Sequence, residues 1–184
     1  MDRPAKPTFL LHCCCAPCST HPLRILKESF DVTVFFYNPN IHPKEEYEKR
    51  RDDIRRLAQR WGFSLIMGEY EVDGWFAAVK GYEEEPEGGA RCGICYRMRL
   101  DKTAQMAKDR EFAFFGTTLS ISPHKKAAVI NPIGVELQKV WGVRFYEADF
   151  KKKDGFKISC RICDEEGLYR QSYCGCVFSR RGGA

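Results

Sequence analysis

The sequence predicts a three-layer α/β/α fold with a mostly parallel sheet. Short apolar runs alternate with longer amphipathic stretches along the chain, which is the pattern of strands joined by crossover helices. Turn residues separate the two kinds of segment. The unusual side chains Cys14, Cys15, Thr117 and Thr118 follow directly after two of the apolar runs, where open α/β sheets gather their ligands.

Thr8–Cys13 reads as a buried first strand, with Phe-Leu-Leu at its centre. Ala16-Pro17 breaks it, and Ser19 or Thr20 is suited to cap a helix carrying Leu23, Ile25 and Leu26. Asp31–Tyr37 is a second strand, closed by Asn38-Pro39-Asn40. Pro43 opens a strong helix with Glu45 and Glu46 early and Arg55, Arg56 and Arg60 late, an order that suits the macrodipole. Its buried stripe is Tyr47, Ile54, Leu57 and Trp61, and Gly62 stops it. Phe63–Met67 is a third strand, and Val72–Val79 a short helix before the acidic loop Glu83–Gly89. A helix from Cys92 to Lys108 leads to a fourth strand at Phe112–Gly116. Ser122-Pro123 starts another helix, Pro132–Val140 is helical, and Val143–Tyr146 is the last strand. A short helix from Glu165 to Tyr173 is expected to deliver Cys174-Gly175-Cys176.

The 184 residues fit a single domain, 1–184, and 43% hydrophobic content supports a core without staples. No repeat is present. The polar start, residues 1–7, does not read as a signal peptide, and no apolar run is long enough to span a bilayer, so a cytoplasmic protein without a membrane partner is expected. The net charge of +5 permits nucleic-acid binding without demanding it. Its distribution is uneven. Acid gathers at Glu83–Glu85 and Glu87, and base at Arg91–Lys102, Lys125-Lys126, Lys151–Lys153 with Lys157, and Arg180-Arg181. Taken singly, each basic run reads as a solvated face.

Seven of the ten cysteines form three tight groups: Cys14-Cys15-x-x-Cys18, Cys92-x-x-Cys95 and Cys174-x-Cys176. No group alone fills a four-thiolate site, and two together do. In a chain expected to stay in a reducing compartment, such spacings mean metal ligation or redox chemistry more often than structural disulfides. Cys14, Cys15, Cys92 and Cys95 supply four thiolates, enough for structural zinc or a [4Fe–4S] cluster, and ligand type admits both. Cys174-Gly175-Cys176 reads as a strained, labile disulfide pair or as a second metal pair. Cys18 is a packing thiol or a further ligand. Asp149 is a strand-end cap, a proton donor or an oxygen ligand. Cys160-x-x-Cys163 has ligand spacing, yet a lone pair of this kind is more often surface thiol or accessory, and Cys13 is as weak a signal. His12, His21, His42 and His124 form no ligand-spaced pair and read as ordinary core or surface residues.

Four motifs together resemble the cobalamin-independent epoxyqueuosine reductase family, QueH. They are His12-x-Cys14-Cys15-Ala16-Pro17-Cys18, Arg91-Cys92-x-x-Cys95-Tyr96-x-x-Arg99-Leu100, Thr117-Thr118-Leu119-x-x-Ser122-Pro123-x-Lys125 and Tyr169-Arg170-Gln171-x-Tyr173-Cys174-Gly175-Cys176. The match runs in order over nearly the whole chain. It implies a fold related to the adenine-nucleotide α-hydrolase (PP-loop) type and the reduction of epoxyqueuosine to queuosine at the tRNA wobble position. It implies a [4Fe–4S] cluster on Cys14, Cys15, Cys92 and Cys95, with room for an additional iron, and a redox-active disulfide between Cys174 and Cys176. The substrates it implies are the tRNAs for Asp, Asn, His and Tyr, with an electron donor that the sequence leaves unidentified. Cys13, Cys160 and Cys163 fall outside the family pattern.

The residues agree with that chemistry. Turning an epoxide into an alkene takes two electrons and protons, and no Gly-x-Gly-x-x-Gly follows the first strand to bind a nicotinamide or flavin. A PP-loop enzyme would carry a Ser-Gly-Gly phosphate loop there. This chain carries Cys14-Cys15-Ala16-Pro17-Cys18 instead, which argues against ATP. Tyr96, Arg97, Arg99, Tyr169, Arg170 and Tyr173 are suited to stack on splayed anticodon bases and pair with phosphates, and Lys151, Lys152 and Lys153 extend a positive surface. Two other classes remain open on the residues alone: a zinc-stabilised RNA-binding module without chemistry, and an iron–sulfur electron-transfer or disulfide-reductase protein.

Overall fold

The structure is a computed structural model that describes residues 5–179; the basic pair Arg180-Arg181 lies outside them. Five strands, β1 (Thr8–Cys13), β2 (Asp31–Phe36), β3 (Ser64–Met67), β4 (Phe114–Thr117) and β5 (Arg144–Phe145), form one sheet in the order β3-β2-β1-β4-β5. Every pairing is parallel, so the sheet is wholly rather than mostly parallel.

Period-two alternation divides the core between the two faces. Phe9, Leu11 and Cys13 of β1 join Val32, Val34 and Phe36 of β2 in one cluster, with Leu23, Ile54 and Leu57 from the covering helices α1 (Ala16–Leu26) and α2 (Lys44–Trp61). Leu10, Phe35 and Phe115 point the other way, onto Leu100 and Ala104 of α4 (Ala90–Asp109) and Ile130 and Leu137 of α5 (Ala127–Trp141). Strands buried on both faces explain why these segments read as continuous apolar runs. Two further helices, α3 (Val72–Ala78) and α6 (Gly155–Glu166), complete the layers, α3 beside α4 and α6 against α1.

Three expected elements differ. The first helix starts at Ala16, with Cys15 extended as its cap and Pro17 in its first turn, so Ser19 and Thr20 lie inside it and donate back to the carbonyls of Ala16 and Pro17. Cys18 is thereby held on the first helical turn. Ser122-Pro123 does not open a helix: Leu119–Ile121 makes a short 3₁₀ turn, and α5 begins at Ala127 and runs through Pro132. The helix expected from Glu165 to Tyr173 is absent. Instead α6 spans Gly155–Glu166 and stops on left-handed Gly167 (φ 62°). The segment that follows is irregular, with its carbonyls bound by Arg50 of α2 and its Gln171 donating to Cys15.

Candidate metal centre

The strand order reverses at β1, which pairs with β2 on one side and with β4 on the other, so a crevice opens beyond the carboxyl ends of β1 and β4. Cys14 and Cys15 make the turn out of β1. Asn38 Nδ2 donates to the Cys13 carbonyl at 2.9 Å and Cys13 Sγ to the Cys15 carbonyl at 3.2 Å, which fixes the turn. Both thiols then face the same way, 3.7 Å apart, and the Sγ atoms of Cys14, Cys15 and Cys18 all lie within 4.8 Å of one another. Cys18 therefore belongs to this group.

A second group lines a pocket of its own, and the Sγ atoms of the expected quartet Cys14, Cys15, Cys92 and Cys95 do not all come within 4.8 Å of one another among the described residues. Cys92 and Cys95, on the first turns of α4, line one pocket with Cys174 and Cys176, Arg99 and Lys125. Cys174 and Cys176 are both free thiols, as are all the cysteines of the described residues. The Ser179 hydroxyl lies 2.9 Å from Cys174 Sγ, and the Cys176 backbone N–H donates to the same sulfur at 3.4 Å.

The two groups share their counter-charges. Arg99 is buried, donates to the Cys95 carbonyl at 3.2 Å, and acts on Cys95, Cys14 and Cys174. Partly buried Lys125 acts on Cys14, Cys18 and Cys174. Burial works against both cations, and the sulfurs outweigh it, holding the Arg99 and Lys125 pKa values above their usual range. Hydrogen bonds from Cys15 and Cys18, helped by Lys125 and Arg99, hold Cys14 well below the ordinary thiol range, while burial pushes Cys15 up to about 12. The hydrogen bond from Cys176, with Lys125 and Ser179, lowers Cys174 to about 5, and Cys176 rises in exchange. Each group thus offers one thiolate supported by neighbouring thiols.

The carboxy-terminal segment is held over these thiols by side chains that sequence reasoning passed over. Gln171 Nε2 donates to Cys15 Sγ at 2.9 Å and reaches Cys18 Sγ at 3.9 Å. Buried Arg50 of α2 donates to the carbonyls of Tyr173 and Cys174, and pairs with Glu46 at 2.6 Å. The His42 N–H donates to the Gly175 carbonyl at 2.8 Å, and Tyr173 donates its hydroxyl to the His42 carbonyl. Gln171 and Lys125 stand in the quoted motifs, which was a usable signal. Arg50 sits in a helix full of charges and gave none. His12 is core, as its lone position suggested. Its Nε2–H donates to the Tyr37 carbonyl and its Nδ1 accepts from the Thr117 hydroxyl, and burial lowers its pKa to about 3, which keeps it neutral.

The expected RNA-facing residues divide. Lys152 and Lys153 are exposed, Lys151 pairs with Asp149 at 3.3 Å, and Arg170 is exposed. Arg97 is exposed and paired with Glu136. Arg99, expected to face RNA, is 3% exposed and faces thiols rather than an outer surface, because it stands one turn after Cys95 on the same inward face of α4. Tyr169 donates to Glu46 at 3.0 Å, and the Arg50 guanidinium lies over the Tyr173 ring. Asp149 lies partly buried beside Lys151, away from either thiol group's hydrogen bonds.

Clustered soft donors balanced by buried cations fit a thiophilic metal or an iron–sulfur group, whose thiolate ligands carry net negative charge. No helix of the described residues is long and apolar enough to cross a membrane.

Comparison with known proteins gives the chain's family and fold. The family model described as epoxyqueuosine reductase QueH matches residues 9–182. An epoxyqueuosine reductase QueH from Streptococcus pyogenes serotype M1 is 42% identical over 182 residues, covering 96% of this chain and 71% of the relative. One from Thermotoga maritima is 41% identical over 175 residues, covering 94% and 90%. Among solved structures, the U34-tRNA thiolase NcsA from Methanococcus maripaludis with its [4Fe-4S] cluster superposes with a TM-score of 0.58 at 10% identity, covering 96% of this chain and 62% of that one. A predicted subunit of tRNA methyltransferase from Methanocaldococcus jannaschii gives 0.57 at 12% identity, covering 94% and 98%. At such identities these two likenesses speak for the fold alone.

Proposed function

Because the chain belongs to the epoxyqueuosine reductase QueH family, we propose that it reduces epoxyqueuosine to queuosine at the wobble position of tRNA. The observation that supports the reading is that two thiol groups, from opposite parts of the chain, share the positive charges of Arg99 and Lys125. A zinc-stabilised binding module gives no reason for a second, thiolate-bearing pair at Cys174 and Cys176, and a bare electron carrier gives none for family membership.

Cys14, Cys15, Cys92 and Cys95 would hold a [4Fe–4S] cluster, with Cys18 beside Cys14 and Cys15 and, together with Asp149, the candidate further ligand or proton donor. When bound, the cluster supplies electrons and Lewis acidity to the epoxide. The chain's own residues do the rest. Cys174 and Cys176 would give up two electrons: the Cys174 thiolate and the Cys176 thiol join in an S–S bond, Cys176 yields one proton, solvent supplies the second, and the epoxide oxygen leaves as water. Lys125 and Arg99 hold positive charge where the oxygen's negative charge develops. An external donor then returns the pair to the dithiol. Lys151–Lys153 and Arg170 would pair with tRNA phosphates, the tRNAs being those for Asp, Asn, His and Tyr. Residues 1–184 act as one iron–sulfur domain, working in the cytoplasm where its substrate is.

The test is anaerobic incubation of metal-loaded protein with tRNA bearing epoxyqueuosine, followed by nucleoside mass spectrometry. Queuosine, one oxygen lighter, is the expected product. Unchanged epoxyqueuosine with a fully loaded protein and an added low-potential reductant would overturn the reading.

A further inference from the structure

A cavity opens between α1 and α6, with Pro17, Cys18, Ile121, Phe156, Ser159 and Gln171 in its walls. Its volume is about 100 Å³. One water needs roughly 10–15 Å³ on the same measure, so this space is far more than a bridging water requires. The fold leaves two buried polar atoms there without work. Ser159 is 4% exposed and its hydroxyl has no hydrogen-bond partner among the described residues, and the buried Oε1 of Gln171 has none either. Atoms in that state are costly unless a ligand meets them. The amide oxygen only accepts, so it asks for a donor, and the serine hydroxyl serves either way. Pro17, Ile121 and the ring of Phe156, 39% exposed, give the cavity apolar walls. A flat ring with N–H donors along one edge matches both features.

We propose that this cavity receives the wobble nucleobase of the tRNA, a guanine-type ring drawn out of the anticodon stack, with Gln171 and Ser159 on its hydrogen-bonding edge and Phe156 against its face. The proposal rests on a tRNA wobble nucleoside being the substrate. Splayed loop bases that stack on aromatic side chains are the usual targets of RNA recognition, and enzymes that act on a base read it once it has left the stack.

The cavity's place beside the sulfurs supports it. Cys18 belongs both to the cavity wall and to the group with Cys14 and Cys15. Gln171 donates from Nε2 to Cys15 Sγ at 2.9 Å, so one amide touches the thiols with its nitrogen while its oxygen is left for the base. Epoxyqueuosine carries its epoxide ring on an arm from the base, and a base seated here sets that arm next to the thiols. Arg170 lines the same cavity and stays exposed while touching Asp164 and Cys160, which keeps a cation at the mouth for the nucleotide's phosphate.

The test measures the affinity of metal-loaded, anaerobic protein for anticodon stem–loops with and without the wobble base, by fluorescence anisotropy. Guanosine serves at the wobble position, since its hydrogen-bonding edge is the one being read. The native chain should bind the abasic stem–loop about fivefold or more weakly, the lower end of what base–aromatic stacking contributes. Phe156→Ala should bind the intact stem–loop more weakly by a similar factor, and the abasic one as the native chain does. Ser159→Leu, which fills the cavity, should behave likewise, and both variants should keep native iron content and circular dichroism. If Ser159→Leu fails to fold, Phe156→Ala carries the test alone, because its ring is partly in solvent. Removing the base next to the wobble position should leave the Phe156→Ala loss in place. A native chain indifferent to the wobble base, or an abasic penalty that persists in full in Phe156→Ala, would overturn the site. So would a Phe156→Ala loss that vanished with the neighbouring base instead. None of these measurements needs turnover. A native chain that reduces its substrate without this coupling would therefore overturn the cavity alone, and one that shows the coupling without reduction would support the cavity and count against the reductase reading.

Discussion

Arg50 holds Cys174. Its guanidinium, 1% exposed, donates from Nη1 to the Cys174 carbonyl at 3.1 Å and from Nη2 to the Tyr173 carbonyl at 3.0 Å, while Glu46 balances its charge. A residue in the middle of α2 thus sets the position of a thiol 124 residues later. The planar fork suits two neighbouring carbonyls in a way that a lysine ammonium does not.

Arg50→Ala should therefore loosen the carboxy-terminal segment and leave half-buried Glu46 with only the Tyr169 hydroxyl. Removing one member of a buried pair costs about 3–5 kcal/mol. Urea denaturation should show that loss, and Arg50→Lys should recover only part of it. Limited proteolysis should cut the variant near Tyr173 first. A native denaturation midpoint for Arg50→Ala would remove this residue from the support of the site.

Gly175 has φ +103°, and a Cβ there would stand 2.8 Å from Ile41 Cγ1 and 3.2 Å from Arg50 Nη1. Gly175→Ala should cost about 1–3 kcal/mol in backbone strain and displace Cys174 and Cys176 together. Iron content should stay native while turnover falls at least tenfold. Native turnover would show that the two thiols need no fixed placement.

Cys176→Ser tests the division of labour between the two thiol groups. Cys176 lowers the Cys174 pKa by hydrogen bonding, and serine keeps a donor in its place. The variant should retain its metal spectrum, complete at most one turnover, and fail to cycle. Loss of the metal spectrum would make Cys176 a ligand, and full multiple turnover would deny the pair any redox part.

Lys152 and Lys153 are exposed and free to meet phosphate, whereas Lys151 is partly committed to Asp149 and to the Lys125 carbonyl. Changing all three to Gln should weaken tRNA binding at every anticodon alike. It should also lower the salt slope, log Kd against log salt, by about two units, roughly one per exposed cation lost. An unchanged slope would take this segment out of the tRNA footprint.

Much of this architecture could be read from residue order. The buried strands announced themselves because both faces are covered, and Gly62 marked the end of α2 by its left-handed geometry, φ 62°. The cysteine spacings pointed to shared sulfur chemistry before any contact was known. What stayed hidden depends on tertiary packing. Arg99 looked like a surface cation within a basic run, and only the facing of α4 shows it buried among sulfurs. The segment after Gly167 has helical propensity, but Arg50 and His42 bind its backbone carbonyls and its Gln171 donates to Cys15, which holds it in an irregular course. The cavity beside Cys160 needed α6 packed on α1, which no local pattern encodes.

The central claim is that thiols from distant parts of the chain hold one iron–sulfur centre. Iron and acid-labile sulfide content, with electron paramagnetic resonance of the anaerobically reduced protein, tests it most directly when native chain and Cys92→Ala are compared. The native chain should carry stoichiometric iron and sulfide and a reduced-cluster signal, and Cys92→Ala should lose most of all three. A native chain that is colourless and holds zinc, or a Cys92→Ala variant with full iron, sulfide and signal, would contradict the claim.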